Sequence, residues 1–155
     1  MTVTEIAIPG RQPLVLERVV FDVNGTLTNR GALIAGVAER LERLRQKLDV
    51  FLASADTYGT LDEVARALAV PAHRARSATE KLSLIETLGA ARTVHVGNGS
   101  NDALALTAAA LGIAVLGPEG ASREALSAAD LVCLSACDAI DLLLDATPIA
   151  ATLRS

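Results

Sequence analysis

The sequence predicts an α/β fold in three layers, a mainly parallel sheet with helices on both faces. Two observations point there. Short apolar runs rich in β-branched residues alternate with longer segments of helical period along most of the chain. The most polar, glycine-rich segments follow three of those apolar runs, where ligands bind in open parallel sheets. Composition bounds the class: 155 residues, 51% hydrophobic and 21% charged, suit one cored domain and exclude extended disorder.

Residues 2–8 alternate polar and apolar, and Pro9-Gly10 marks a turn. A short N-terminal β-hairpin is therefore expected to feed a buried strand over 19–23, with Asp22 at its carboxyl end. Val37, Leu41, Leu44 and Leu48 recur at helical spacing and predict a helix over 35–48. A strand over 50–53, a helix over 61–68 and a weaker edge strand over 72–76 come next. Thr79 is placed to cap a helix over 80–88 that stops at Gly89. Strands over 93–96, 112–116 and 131–134 then alternate with helices over 102–109, 122–128 and 136–144. Residues 147–153 read as a short tail. The whole of 1–155 is expected to form a single domain with its hairpin extension.

Several function classes fall away. Fourteen basic residues against eighteen acidic ones, net charge −4, argue against a nucleic-acid or anionic-membrane surface. The aromatic residues are Phe21, Phe51 and Tyr58, too few for a base-stacking platform. The longest uncharged stretch, 103–118, is broken by glycines and falls short of a membrane span, and the first residues lack the pattern of a signal peptide. A cytoplasmic chain without membrane insertion is expected. Cys133 and Cys137 read as buried inert thiols, and His73 and His95 as packed or surface residues outside any metal or nucleophile pattern.

Three loops remain. In Asp22-Val23-Asn24-Gly25-Thr26 a carboxylate directly follows a hydrophobic strand. It can hold a divalent metal or attack phosphorus, and a turn through Gly25 would expose N–H groups as an anion nest. An Asx-type cap with a glycine turn explains the same residues. In Ser54-Ala55-Asp56-Thr57, the Ser54 hydroxyl and nearby backbone donors suit a phosphoryl oxygen, while capping of a helix near Gly59 accounts for Asp56 and Thr57. The third loop, Gly97-Asn98-Gly99-Ser100-Asn101-Asp102, matches neither a dinucleotide fingerprint nor a Walker A loop. Lys81 sits in a first helical turn, unfavourable for the helix dipole, and suits contact with an anion or simple exposure.

In this order, Phe21-Asp22-Val23-Asn24-Gly25-Thr26-Leu27-Thr28, Ser54, Lys81 and the 97–102 loop resemble the haloacid dehalogenase-like (HAD) superfamily, over roughly residues 18–145. Within it, the chain looks more closely like the small soluble proteins related to the phosphorylation domain of P-type ATPases. The Gly112-Ile113-Ala114-Val115 segment, Gly117 and Ala128-Ala129-Asp130 add to that likeness. The resemblance implies a Rossmann-like core without a cap domain. It implies Asp22 as nucleophile, Asn24 at the acid–base position, and Ser54 and Lys81 as catalytic and phosphate-binding groups, with Gly25, Thr26 and Ala55 completing the phosphate site. It implies Mg²⁺ held by Asp22, Asn24, Asn98 and Asp102, supported by Asn101. Two positions depart from the family pattern. An amide at Asn24 cannot donate and reclaim a proton, which removes a term typically worth about 10²–10⁴-fold. Asn98 stands where a metal-binding aspartate is usual and weakens the cation site.

The expected function is Mg²⁺-dependent phosphoryl transfer, a weak phosphohydrolase acting on a phosphorylated small molecule or phosphoprotein. A non-catalytic ligand- or protein-binding module is the alternative, and a homo-oligomer stays open.

Overall fold

A strand with a buried Val-Val-Phe centre lies inside the main sheet and carries the first polar loop at its carboxyl end. In the computed structural model, which describes residues 3–155, this is β3 (Arg18–Asp22), flanked in parallel by β6 (Asp49–Ser54) and β8 (Thr93–Gly97). β9 (Leu111–Val115) and β10 (Leu131–Cys133) extend one side, and β7 (Ala72–Arg74) the other. The order β10-β9-β8-β3-β6-β7 is parallel throughout. This is a three-layer Rossmann-like α/β core.

Alternation along β3 assigns the two faces, because successive side chains of a strand point to opposite sides. Val19 and Phe21 join the larger apolar cluster with residues of α1 (Val37–Leu44), α2 (Leu61–Leu68), α6 (Ala136–Leu144) and α7 (Thr147–Leu153). Val20 joins a smaller one with Ile85 of α3 (Ala78–Leu88) and Ala105 of α4 (Ala103–Ala108). α5 (Arg123–Ala128) packs on α4 and buries Ala125. Two antiparallel hairpins lie outside the main sheet. β1 (Thr4–Ile6) pairs with β2 (Leu14–Leu16), and Thr2 of the expected alternation lies outside the described residues.

Some expectations shift. The helix expected over 35–48 is confined to α1, because Gly36 at φ 89° cannot be helical and residues 45–48 close in a tight turn that still buries Leu48. Ser77, not Thr79, caps α3: its Oγ accepts from the Glu80 N–H, which starts the helix two residues early. Lys81 thus lies beyond the first three helical residues. The tail over 147–153 is α7, with a proline in its first turn. Cys133 is buried, as expected, but Cys137 is only half-buried. The second hairpin, β4 (Thr28–Asn29) and β5 (Ala32–Leu33), was not foreseen. Its turn residues Arg30 and Gly31 both have positive φ, 49° and 87°, the requirement of a type I′ turn. The Asn29-Arg30-Gly31 run is its sequence signal.

Candidate active site

The carboxyl ends of β3, β6 and β8 bring three polar loops together, and α3 adds one side chain from above the sheet. Asp22 ends β3, 5% exposed. Its Oδ1 accepts from Lys81 Nζ at 2.8 Å and its Oδ2 from Thr26 Oγ1 at 3.1 Å. Lys81 is buried too, and its ammonium also donates to Asp102 Oδ1 at 2.8 Å. Two of its three protons are thereby placed, leaving one for a further acceptor.

Asp102 is the most heavily engaged group. Oδ1 accepts from Lys81 and lies 2.8 Å from His95 Nε2, while Oδ2 accepts from the Asn98 and Gly99 N–H groups at 3.2 and 3.0 Å. Gly97 permits this, since a Cβ there would lie 2.3 Å from the Asp102 carboxyl carbon. His95 is the residue that sequence reasoning missed. It faces the α3/α4 side between Val94 and Val96, fully buried, and its Nδ1 has no partner among the described residues. Its flanking valines make it look like packing. Only the seven-residue step to Asp102 could have signalled more.

Burial and charge set the titration of Asp22, Asp102 and Lys81. Burial, reinforced by the nearby Asp102 charge, pushes Asp22 up to about 6 despite Lys81. Burial also opposes the charge on Asp102, yet the His95 hydrogen bond and the Lys81 ammonium hold it well below the usual carboxylate range. Lys81 pays a similar desolvation penalty, but the two carboxylates outweigh it and keep its pKa above the ordinary value.

The other expected residues fall around this cluster. Ser54 ends β6, 1% exposed, and its Oγ accepts from the Asp56 N–H at 2.9 Å, leaving the hydroxyl proton for another acceptor. Asp56 sits at φ 60°, and its carboxylate reaches the Leu61 N–H, so it caps α2 from five residues away; Thr57 is exposed. Asn24 and Ala55 are half-buried in their loops. The nest expected at Gly25 and Thr26 is not free: their N–H groups donate to the Thr28 and Val23 carbonyls and close the turn on itself. Thr26 enters the site by its hydroxyl instead. Asn101 is half-buried beside Gly99 and makes no side-chain hydrogen bond among the described residues. Asn98 turns its Oδ1 toward Thr26 Oγ1 at 3.3 Å, because Nδ2 donates to the Gly120 carbonyl at 3.0 Å.

The donor set decides how a divalent cation could be held. No group of three or more His, Cys, Asp or Glu fit for a metal occurs among the described residues. Asp102 accepts from four donors, Lys81, His95 and the Asn98 and Gly99 amides. Asp22 Oδ2 and Asn98 Oδ1 remain, both beside one hydroxyl. A single carboxylate with neutral oxygens fits an open Mg²⁺ site, since Mg²⁺ keeps several waters and commonly uses one or two carboxylates plus substrate phosphates.

The loop after β9 straps the mouth. Glu119 accepts from the Arg30 N–H at 2.8 Å and from the Tyr58 hydroxyl at 3.3 Å, joining the β4–β5 turn to the loop after β6. Among the described residues no helix is long and apolar enough to cross a membrane.

No family model matches the chain. An uncharacterized protein of Methanocaldococcus jannaschii is 43% identical over 63 residues, 41% of this chain and 68% of that protein. A cobalt-bound deoxy-D-mannose-octulosonate 8-phosphate phosphatase of Haemophilus influenzae superposes with TM-score 0.70 at 18% identity, over 90% of this chain and 94% of that one. A HAD family hydrolase structure from Streptomyces avermitilis gives 0.68 at 20% identity over 87% of both chains. The catalytic domain of a CPx-ATPase gives 0.63 at 21% identity over 74% of this chain and 46% of that one. The chain belongs to one family with the Methanocaldococcus jannaschii protein and has the fold of the haloacid dehalogenase-like superfamily.

Proposed function

We propose that the chain is a phosphoryl-transfer protein that works through Asp22 and turns over slowly as a phosphohydrolase. The observation that carries this reading is the Lys81 ammonium shared between Asp22 and Asp102. It fixes the Asp22 carboxylate at the end of β3 and supplies positive charge where phosphoryl oxygens would lie. A carboxylate oxygen of Asp22 attacks phosphorus, the bond to the leaving oxygen breaks, and an aspartyl phosphate forms. The remaining Lys81 proton and the Ser54 hydroxyl are the donors available to the transferring oxygens. Asn24 has no proton to give the leaving oxygen and cannot activate water afterwards, so protons come from solvent and the acyl phosphate persists. Water then attacks phosphorus, releasing phosphate and restoring Asp22.

A divalent cation held by Asp22, Asn98 and the Asn24 main-chain carbonyl would offset the charge on the phosphoryl oxygens. The superposed octulosonate phosphatase supports a phosphorylated small molecule as substrate, and the absence of a cap leaves room for a phosphoprotein. The whole chain as one working domain, without nucleic acid or membrane insertion, belongs to this reading, as does a cytoplasmic setting.

The test is intact-mass detection of a phosphoryl adduct after incubation with acetyl phosphate and Mg²⁺, alongside hydrolysis of a generic phosphomonoester. The adduct is expected in the native chain and absent in Asp22→Asn. Asn24→Asp is expected to raise hydrolysis about ten- to a thousand-fold. If the adduct never forms and Asn24→Asp stays at the Asp22→Asn background while folded, the non-catalytic binding module replaces this reading.

A further inference from the structure

We propose that His95 is a positioning residue: its neutral ring donates from Nε2 to Asp102 and thereby keeps the Lys81 ammonium poised toward Asp22. The inference rests on the reading of Asp22 as the phosphoryl-accepting residue. It adds a buried group that acts through Asp102 rather than on a substrate.

The surroundings of the ring decide where its proton lies. Asp102 is held ionised, well below the usual carboxylate range, and a carboxylate only accepts. The ring atom facing it across 2.8 Å, Nε2, therefore carries a proton. Nδ1 is buried and has no partner among the described residues. A second proton there would leave a charged, unpaired donor in the layer that holds Val20, Ile85 and Ala105, at a far higher cost than a bare lone pair. Across the sheet His95 pairs with Val20 of β3 and with Gly112 of β9, whose missing side chain leaves the ring room. The neutral ring with hydrogen on Nε2 is the form that this packing admits.

That hydrogen is placed to govern how Lys81 is shared. Asp102 Oδ2 accepts from the Asn98 and Gly99 amides, and Oδ1 accepts from both His95 and Lys81. Lys81 divides its ammonium between Asp102 Oδ1 and Asp22 Oδ1, 2.8 Å from each. An oxygen already holding one donor attracts a second less strongly, so His95 weakens the pull of Asp102 on the ammonium. It also fixes the Asp102 carboxylate against turning. Without the ring, Asp102 would draw Lys81 toward itself, and Asp22 would keep the Thr26 hydroxyl as its remaining side-chain donor. A displacement of about 1 Å in such a group can cost roughly 10²-fold in rate.

The test replaces the ring, in the whole chain, by side chains that keep or lose the donor at one atom. His95→Gln carries an amide N–H to the place of Nε2, His95→Asn carries one only as far as Nδ1, and His95→Leu carries none. The initial rate of adduct formation from acetyl phosphate and Mg²⁺ is followed by intact mass in folded samples. At saturation it is expected to fall about ten- to a hundredfold in His95→Leu and His95→Asn and to return to within about threefold of native in His95→Gln. The half-saturating acetyl phosphate concentration is expected to change by less than about twofold, because the ring does not touch the ligand. Nitrogen-15 spectra of the native chain at pH 8, where an ordinary imidazole is neutral, are expected to show hydrogen on His95 Nε2 and none on Nδ1. The Lys81 Nζ resonance is expected to move in His95→Leu and His95→Asn and to return in His95→Gln.

A native rate in His95→Leu overturns the positioning. Equal rates in His95→Gln and His95→Asn also overturn it, since they would mark a need for polar filling alone. A bare Nε2, or hydrogen on both ring nitrogens, overturns it in the native chain without any variant. Each of these results leaves the Asp22 reading intact. Absence of the adduct in the native chain overturns the Asp22 reading instead, and the hold of His95 on Lys81 then stands or falls with the Nζ resonance.

Discussion

Asp22 sits where its own charge is unwelcome. Its pKa, raised to about 6 from an ordinary 3.8, means that the folded state binds its proton more tightly than the unfolded chain does. Stability from this group is present below about pH 4 and is lost as pH rises through 6. Asp22→Asn mimics the protonated form at every pH and is expected to stabilise the protein by about 1–3 kcal/mol above pH 6, roughly 3–8 °C in Tm. Thermal melts at pH 4 and pH 8 check this, with the advantage growing toward pH 8; equal melting temperatures at pH 8 would refute it. Asp102 works oppositely: its depressed pKa contributes stability above about pH 4 that is lost in acid. Asp22, Ser54, Lys81 and the acid of the 97–102 loop were legible because each departs from what its local element needs. His95 was not, since a histidine between two valines satisfies a strand pattern whatever its ring touches. The commitment of Asp102 was equally hidden, because a sequence does not show how many donors converge on one carboxylate.

At the scale of elements, the loop after β9 holds others in place. Glu119 ties down the Arg30 amide at the tip of the β4–β5 hairpin and also accepts from the Tyr58 hydroxyl. Both contacts are exposed, so Glu119→Ala is expected to change global stability by no more than about 0.5 kcal/mol. The hairpin tip should nevertheless loosen, so trypsin is expected to cut after Arg30 several-fold faster than in the native chain. Unchanged cleavage there would show that the strap holds nothing. The hairpin was written in Asn29-Arg30-Gly31 but overlooked, because two-residue strands carry no periodicity to detect. α7 escaped for a related reason: its Thr-Pro start is a helix signal, but seven residues hold too little of an apolar stripe.

Over the whole molecule, strand-and-helix alternation carried the architecture almost unaided, because a parallel sheet requires a crossover after each strand. Close approach between layers was less visible. A Cβ on Gly112 would lie 2.4 Å from the Leu106 carbonyl oxygen, so α4 rests directly on the backbone of β9. Gly112→Ala is expected to cost about 1–3 kcal/mol, read as a lower urea midpoint with the slope unchanged. A native midpoint would mean that α4 can move away freely.

The position of β3 also has a consequence in time. Arg18 pairs with Asp49 of β6 on one side and, on the other, with Thr93 of β8, 75 residues later in the chain.

 

At ribosomal rates of about 5–20 residues per second, one edge of this strand waits roughly 4–15 s for its partner. During that interval Val19, Val20 and Phe21 stand beside unpaired backbone groups, a combination that invites pairing with other nascent chains. The charges at Arg18 and Asp22 bracket the run and act as its gatekeepers until β8 arrives. The acid that the finished fold buries against Lys81 thus first stands guard beside an exposed apolar run in the newborn chain.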